Sequence, residues 1–257
     1  MSGIVVLCGG HRRDFHESIA LDRQVLALLA DQQRPIVYVP TASGDRQEGI
    51  RFAQYYRELG ATSVTTAPIY TRDNAAAPDT ATLLREAGMI YIGGGNPEQL
   101  LSVWQGSQAL VALRTAAMRG TLILGNSAGA MALGEHMLWR RNAGAQPLRG
   151  FGILPQAIVL PHFSAEQHLL VLIRQAVAEP GAICMGIPEA GGLIIWPTGQ
   201  VRNVGPASAY VAHLPTGERR STAPHLSAHH LCLMILAPDE ISSLPLRAPA
   251  SGLGDEG

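Results

Sequence analysis

Through the first half of the chain, short apolar and β-branched runs alternate with longer stretches whose apolar residues recur every three or four positions. The short runs predict strands at residues 4–7, 36–39, 63–66, 89–92 and 121–124. The longer stretches predict helices at 17–31, 48–59, 79–87 and 97–119. Within the strands the apolar character is nearly continuous, as expected of a sheet covered on both faces. Strand and helix in strict alternation imply right-handed crossovers and a parallel sheet. Two helix starts are chemically marked. Asp79 precedes an apolar-periodic run, and Asn96-Pro97 supplies a cap residue followed by proline at the first helical position.

From about residue 158 the pattern changes. A strand at 158–160, a helix at 166–178 and a strand at 182–185 are followed by strand runs at 193–196, 200–204, 209–213 and 231–236. Turn signals such as Pro197-Thr198-Gly199 separate several of these and predict an antiparallel or mixed extension of the sheet. Residues 1–237 read as a single α/β domain with no internal repeat. Residues 238–257 are rich in Pro, Ser, Gly and Ala with little periodicity, which predicts a flexible tail.

Composition narrows the function classes. With 257 residues, 47% apolar and 15% charged, the chain can bury a substantial core and is not disordered in composition. A formal net charge of -1 gives no electrostatic reason to expect a nucleic-acid or membrane partner. Every cationic side chain is arginine and none is lysine, which reads as a coding bias rather than a functional signal. Cys8, Cys184 and Cys232 are too far apart for a metal motif and odd in number for a disulfide framework. No signal-peptide pattern and no apolar run of membrane length is visible, so the expectation is a soluble, cytoplasmic protein without metal or cofactor.

The strongest chemical signal is Gly125-Asn126-Ser127-Ala128-Gly129-Ala130, directly after the strand run ending at Leu124. A Gly-x-Ser-x-Gly turn from strand to helix exposes its serine on a strained backbone, next to the free N–H groups of the helix start. A second signal, Gly93-Gly94-Gly95-Asn96, also follows a strand and opens a helix. It lacks nucleotide-loop spacing, but one of its amides and that of Ala128 could together face an oxyanion. A serine nucleophile needs a base and an orienting acid. His162, in Leu160-Pro161-His162-Phe163 at a strand end, is the leading base, with His11 and His16 as competitors. Glu189, in Gly186-Ile187-Pro188-Glu189, is the leading acid, with Glu135 and Asp14 as competitors.

Taken together, Ile92-Gly93-Gly94-Gly95-Asn96 with Gln99-Leu100, the serine turn, Pro161-His162-Phe163 and Gly186-Ile187-Pro188-Glu189 resemble peptidase family S51, the family of aspartyl dipeptidases and cyanophycinases. Their order and spacing match, and the resemblance runs from about Gly3 to Ala212. It implies a class I glutamine amidotransferase-like fold, in which a mostly parallel sheet is sandwiched by helices in a flavodoxin-like three-layer arrangement. It also implies Ser127 as nucleophile, His162 as general base, Glu189 as its orienting acid, and Gly95 and Ala128 as oxyanion amides. Asn96 and Gln99 become candidates for substrate contact. The expected reaction is cleavage of a peptide or isopeptide bond in a short peptide, with homodimerisation expected from the resemblance alone. Aspartyl dipeptidases hold the substrate carboxylate with an arginine after the catalytic histidine. The matching stretch here, Ser164-Ala165-Glu166-Gln167-His168, has none, which leaves Arg140 and Arg141 as candidates for that role. Two other readings remain open: a small-metabolite amidase or esterase using the same residues, and a non-catalytic binding protein of the same fold.

Overall fold

Five of the apolar runs become the parallel half of one sheet. The computed structural model describes residues 2–11, 14–138, 148–218, 220–221 and 227–245. Its first strands are β1 (Val5–Cys8), β2 (Ile36–Val39), β3 (Val64–Thr66), β4 (Met89–Ile92) and β5 (Leu122–Asn126). Between them run α1 (Ile19–Ala27), entered through a 3-10 turn at Phe15–Ser18, then α2 (Glu48–Glu58), α3 (Arg72–Ala76), α4 (Pro78–Glu86), α5 (Pro97–Trp104) and α6 (Gln108–Met118). The second half supplies α7 (Ala128–Leu133), β6 (Gly134–Met137), β7 (Leu148–Arg149), β8 (Leu154–Leu160), α8 (Ala165–Ala178), β9 (Ile183–Gly186), β10 (Gly192–Ile195), β11 (Gln200–Val204) and β12 (Ala209–His213). A two-residue ladder of β13 (Arg220–Ser221) and β14 (Ser227–Ala228), then β15 (Cys232–Leu236) and β16 (Ile241–Ser243), complete the elements.

The main sheet has the order β16-β11-β10-β1-β5-β4-β2-β3. From β1 to β3 all pairings are parallel, and from β1 outward through β10 and β11 to β16 all are antiparallel. Alternate residues of each strand serve different cores, as the period of two requires. Val5, Leu7, Val37, Val39, Ile90 and Ile92 pack with α4, α5, α6 and α7. Val6, Cys8, Ile36, Tyr38, Met89 and Tyr91 pack with α1 and α2. Helices therefore cover both faces, giving the three-layer α/β arrangement.

On the α1–α2 side the core is aromatic, with Phe52 stacked on both Tyr38 and Tyr56 at 4.3 Å between ring centroids. It also buries Asp22, whose carboxylate accepts hydrogen bonds from Ser18, Tyr55 and Tyr56 at 2.7–2.9 Å. Burial pushes that carboxyl above the usual range and the three hydroxyl donors oppose the shift.

Three sequence expectations need correction. The helix expected over 97–119 is two helices, broken at Gly106, which adopts φ +73°, and restarted by Ser107, whose side chain caps Leu110 N. The expected extension of the sheet is divided. Of the strands expected there, only β10 and β11 prolong the main sheet, whereas β8, β9, β12 and β15 join β6 and β7 in a second sheet of order β15-β12-β9-β8-β6-β7. α8 packs on that sheet through Leu172 and Ala176. Finally, the region expected to be a tail from 238 contributes β16, which pairs with the otherwise open edge of β11 and buries Leu244. Residues 246–257 lie outside the described residues.

Among the described residues no helix is long and apolar enough to cross a membrane. None of their His, Cys, Asp and Glu side chains forms a group of three or more arranged to hold a metal ion.

Candidate active site

The site lies where the carboxyl ends of β1, β4 and β5 from the main sheet meet those of β8 and β9 from the second. Ser127 links β5 to α7 with φ 50° and ψ -109°, outside the regions a residue with a side chain ordinarily occupies. Its N–H donates to Cys8 O at 3.0 Å, and its carbonyl accepts from Met131 N at 3.0 Å. The turn closes only because its neighbours lack side chains. A Cβ at Gly125 would stand 2.6 Å from Ala130 N, and one at Gly129 would stand 2.2 Å from Ile92 O.

His162 follows β8 and also has positive φ, 51°. Its N–H donates to Gly9 O at 2.8 Å, fixing the end of the second sheet to the loop after β1. The imidazole lies against Gly10, where a Cβ would come within 2.3 Å of His162 Cε1. Glu189 follows β9, and its neighbour Ala190 donates to Gly10 O at 3.1 Å. Gly9-Gly10 is thus a strut that holds both of the loops carrying these side chains.

The three side chains form one hydrogen-bonded line. Ser127 Oγ is 2.8 Å from His162 Nε2, and His162 Nδ1 is 2.9 Å from Glu189 Oε1. A carboxylate can only accept, so Nδ1 carries the proton and Nε2 of the neutral ring is left to accept from the serine hydroxyl. The His162 side chain is 43% exposed and that of Glu189 is 25% exposed, so the line opens to solvent from the histidine side. The amides of Gly95 and Ala128 donate to no group among the described residues. For Ala128 this follows from its place at the first position of α7, before any intrahelical acceptor exists.

The sequence profile of peptidase family S51 matches residues 4–204. The chain belongs to peptidase family S51. Among its S51 relatives is a cyanophycinase of Trichormus variabilis, 27% identical over 217 residues, covering 79% of this chain and 72% of that protein. Another is the Bacillus subtilis peptidase YgaJ, 29% identical over 193 residues, covering 75% of this chain and 81% of YgaJ. In fold, the chain is similar to a peptidase from an acI-B1 actinobacterium, with a TM-score of 0.72 at 24% identity over 95% of this chain and 98% of that one. It is also similar to a putative peptidase E protein of Listeria monocytogenes, with a TM-score of 0.57 at 17% identity over 80% of this chain and all of that one.

Around Ser127 the competing sequence candidates hold other positions. His11 Nε2 lies 3.4 Å from Tyr91 Oη, and burial holds the ring below the usual histidine range against the charges of Glu17 and Asp14. His16 pairs with Asp14, whose carboxylate also caps the 3-10 turn. Glu135 accepts from Gln156 N at 2.8 Å. Asn96 Oδ1 is engaged in capping α5 through Glu98 N and Gln99 N, and neither Asn96 nor Gln99 lines a cavity at Ser127. Arg140 and Arg141 lie outside the described residues.

Ser127 and His162 stand between two cavities. One, of about 710 Å³, runs toward α2 and is lined by Glu48, Arg51, Glu58, His11 and Asn126. Arg51 is paired with Asp45, and Glu48 accepts from the Ser43 hydroxyl. Asn126 Oδ1 is buried without a hydrogen-bond partner among the described residues. The other cavity, of about 380 Å³, is walled by aliphatic side chains. Sequence reasoning found neither cavity. Their walls come from segments far apart in the chain, and no local pattern joins Glu48 to Asn126 or Met131 to Val171.

Proposed function

We propose that this S51 protein is a serine peptidase that hydrolyses a peptide or isopeptide bond in a short peptide. His162 Nε2 takes the hydroxyl proton as Ser127 Oγ attacks the carbonyl carbon. The oxygen's developing negative charge meets the N–H groups of Gly95 and Ala128. Glu189 holds the imidazole in the required tautomer and stabilises the imidazolium. His162 then protonates the leaving amine, and the same nitrogen activates the water that releases the acyl group from Ser127.

The observation that carries this reading is the unbroken line Ser127–His162–Glu189, with contacts of 2.8 and 2.9 Å. The positive φ of both Ser127 and His162 supports it, since strain of this kind collects at functional sites. Labelling with a fluorophosphonate probe tests it. The wild type is expected to label at Ser127, whereas Ser127→Ala and His162→Ala, each confirmed folded by circular dichroism, are expected not to. A folded wild type that resists the probe and cleaves no peptide in a di- and tripeptide panel would refute the reading.

A further inference from the structure

The aliphatic cavity beside Ser127 has a composition that selects among substrates. Its walls are Met131 from α7, Leu138 after β6, Val159 and Leu160 of β8, Pro161, and Val171 of α8. It shares Gly95, Ser127, Ala128 and His162 with the reacting centre, so whatever fills it is bonded close to the scissile carbonyl. Among the described residues no carboxylate, guanidinium, hydroxyl or amide side chain lines it apart from Ser127 and His162 themselves. The opposite cavity, across the same serine, carries Glu48, Arg51, Glu58 and Asn126.

We infer, resting on the serine-peptidase reading, that this cavity receives an apolar side chain of a residue flanking the scissile bond, and that Val171 helps to set that preference. The class of substrate is therefore a short peptide with an aliphatic or aromatic residue at the cleaved bond, its polar remainder lying toward α2. An acidic side chain placed here would lose its water and gain no described cation or hydroxyl in return. An aliphatic one loses only unfavourable hydration. Val171 is suited to tune the choice because it is 41% exposed on α8, off the face that buries His168, Leu172, Ala176 and Val177.

The test is a matrix of di- and tripeptides in which Gly, Leu, Phe, Asn, Asp and Arg are varied on each side of the bond. kcat/KM is measured for the wild type and Val171→Arg. On one side of the bond, Leu or Phe is expected to exceed Asp by roughly 10- to 200-fold in the wild type. In Val171→Arg the Leu-to-Asp ratio should fall by at least about tenfold. Ser127-dependent cleavage with a flat profile, or with an acidic preference that disappears on replacing Arg140 and Arg141 by alanine, overturns the inference and leaves the peptidase reading standing. An apolar preference unchanged in Val171→Arg removes Val171 from the account. Absence of cleavage across the whole matrix overturns both.

Discussion

Cys8 and Ser127 occupy almost the same place in the fold and have opposite chemistry. β1 and β5 are paired with Cys8 opposite Asn126, so the serine stands one residue beyond the cysteine on the neighbouring strand. A thiol is the better intrinsic nucleophile. Yet Cys8 is 1% exposed, and burial, helped by the charge of Asp22, pushes its thiol up to about 12. Ser127 is turned out of the sheet by its positive φ and lies within hydrogen-bond distance of an imidazole. Placement outweighs element. Where the backbone leaves the strand decides which of two adjacent side chains meets an imidazole.

The sharpest break of this comparison is at the serine line itself. Ser127→Ala should lower kcat by roughly 10⁶-fold, and Glu189→Gln by about 10⁴-fold through loss of the correct imidazole tautomer. Both are read as kcat on a peptide found to be cleaved. Cys8→Ala should leave kcat close to that of the wild type, and a comparable loss there would refute the contrast. Next in size is Gly10→Ala. Its Cβ would collide with His162 Cε1 and its φ of +110° would be strained, so a loss of about 10²-fold is expected from misplacing the ring alone. Unchanged activity in that variant would show that the ring is not held against Gly10.

The smallest effects concern the thiols. Iodoacetamide at pH 8 should label exposed Cys232 and spare buried Cys8 and Cys184, as read by mass spectrometry. Both buried thiols are pushed from 9.0 up to about 12. A group with a raised folded value stabilises the fold fully below its unfolded value and loses that contribution as pH rises through the folded one. Thermal stability should therefore decline above about pH 9, and replacing both residues by alanine should lessen the decline without removing it, because burial also raises Tyr38, Tyr55, Tyr56 and Tyr91.

Much of the main sheet was legible because its signals are local. β2 and β4 occupy the expected residues, and β1, β3 and β5 begin or end within two residues of expectation. The line Ser127–His162–Glu189 was legible as three separate strand-end residues, each marked by glycine or proline nearby. Division of the later strands between two sheets was not legible. β9 and β10 are both short apolar runs, and only long-range partners, β8 for one and β1 for the other, assign them. The break at Gly106 is not legible because the apolar period continues across it. β16 is not legible because three residues of Ile-Ser-Ser carry no strand signal without the β11 edge beside them.

The glycine strut between the sheets also sets a timetable for the growing chain. Its three ties, Gly9 N to Gly191 O, His162 N to Gly9 O and Ala190 N to Gly10 O, join the first ten residues to segments more than 150 positions later. Ser127 leaves the ribosome 62 residues ahead of Glu189 (189 minus 127). At about 5–20 residues per second, that is a delay of roughly 3–12 s. During it the serine has neither its full set of partners nor the frame that aims them. The hydrogen-bonded line from Ser127 through His162 to Glu189 therefore comes together only as the fold closes.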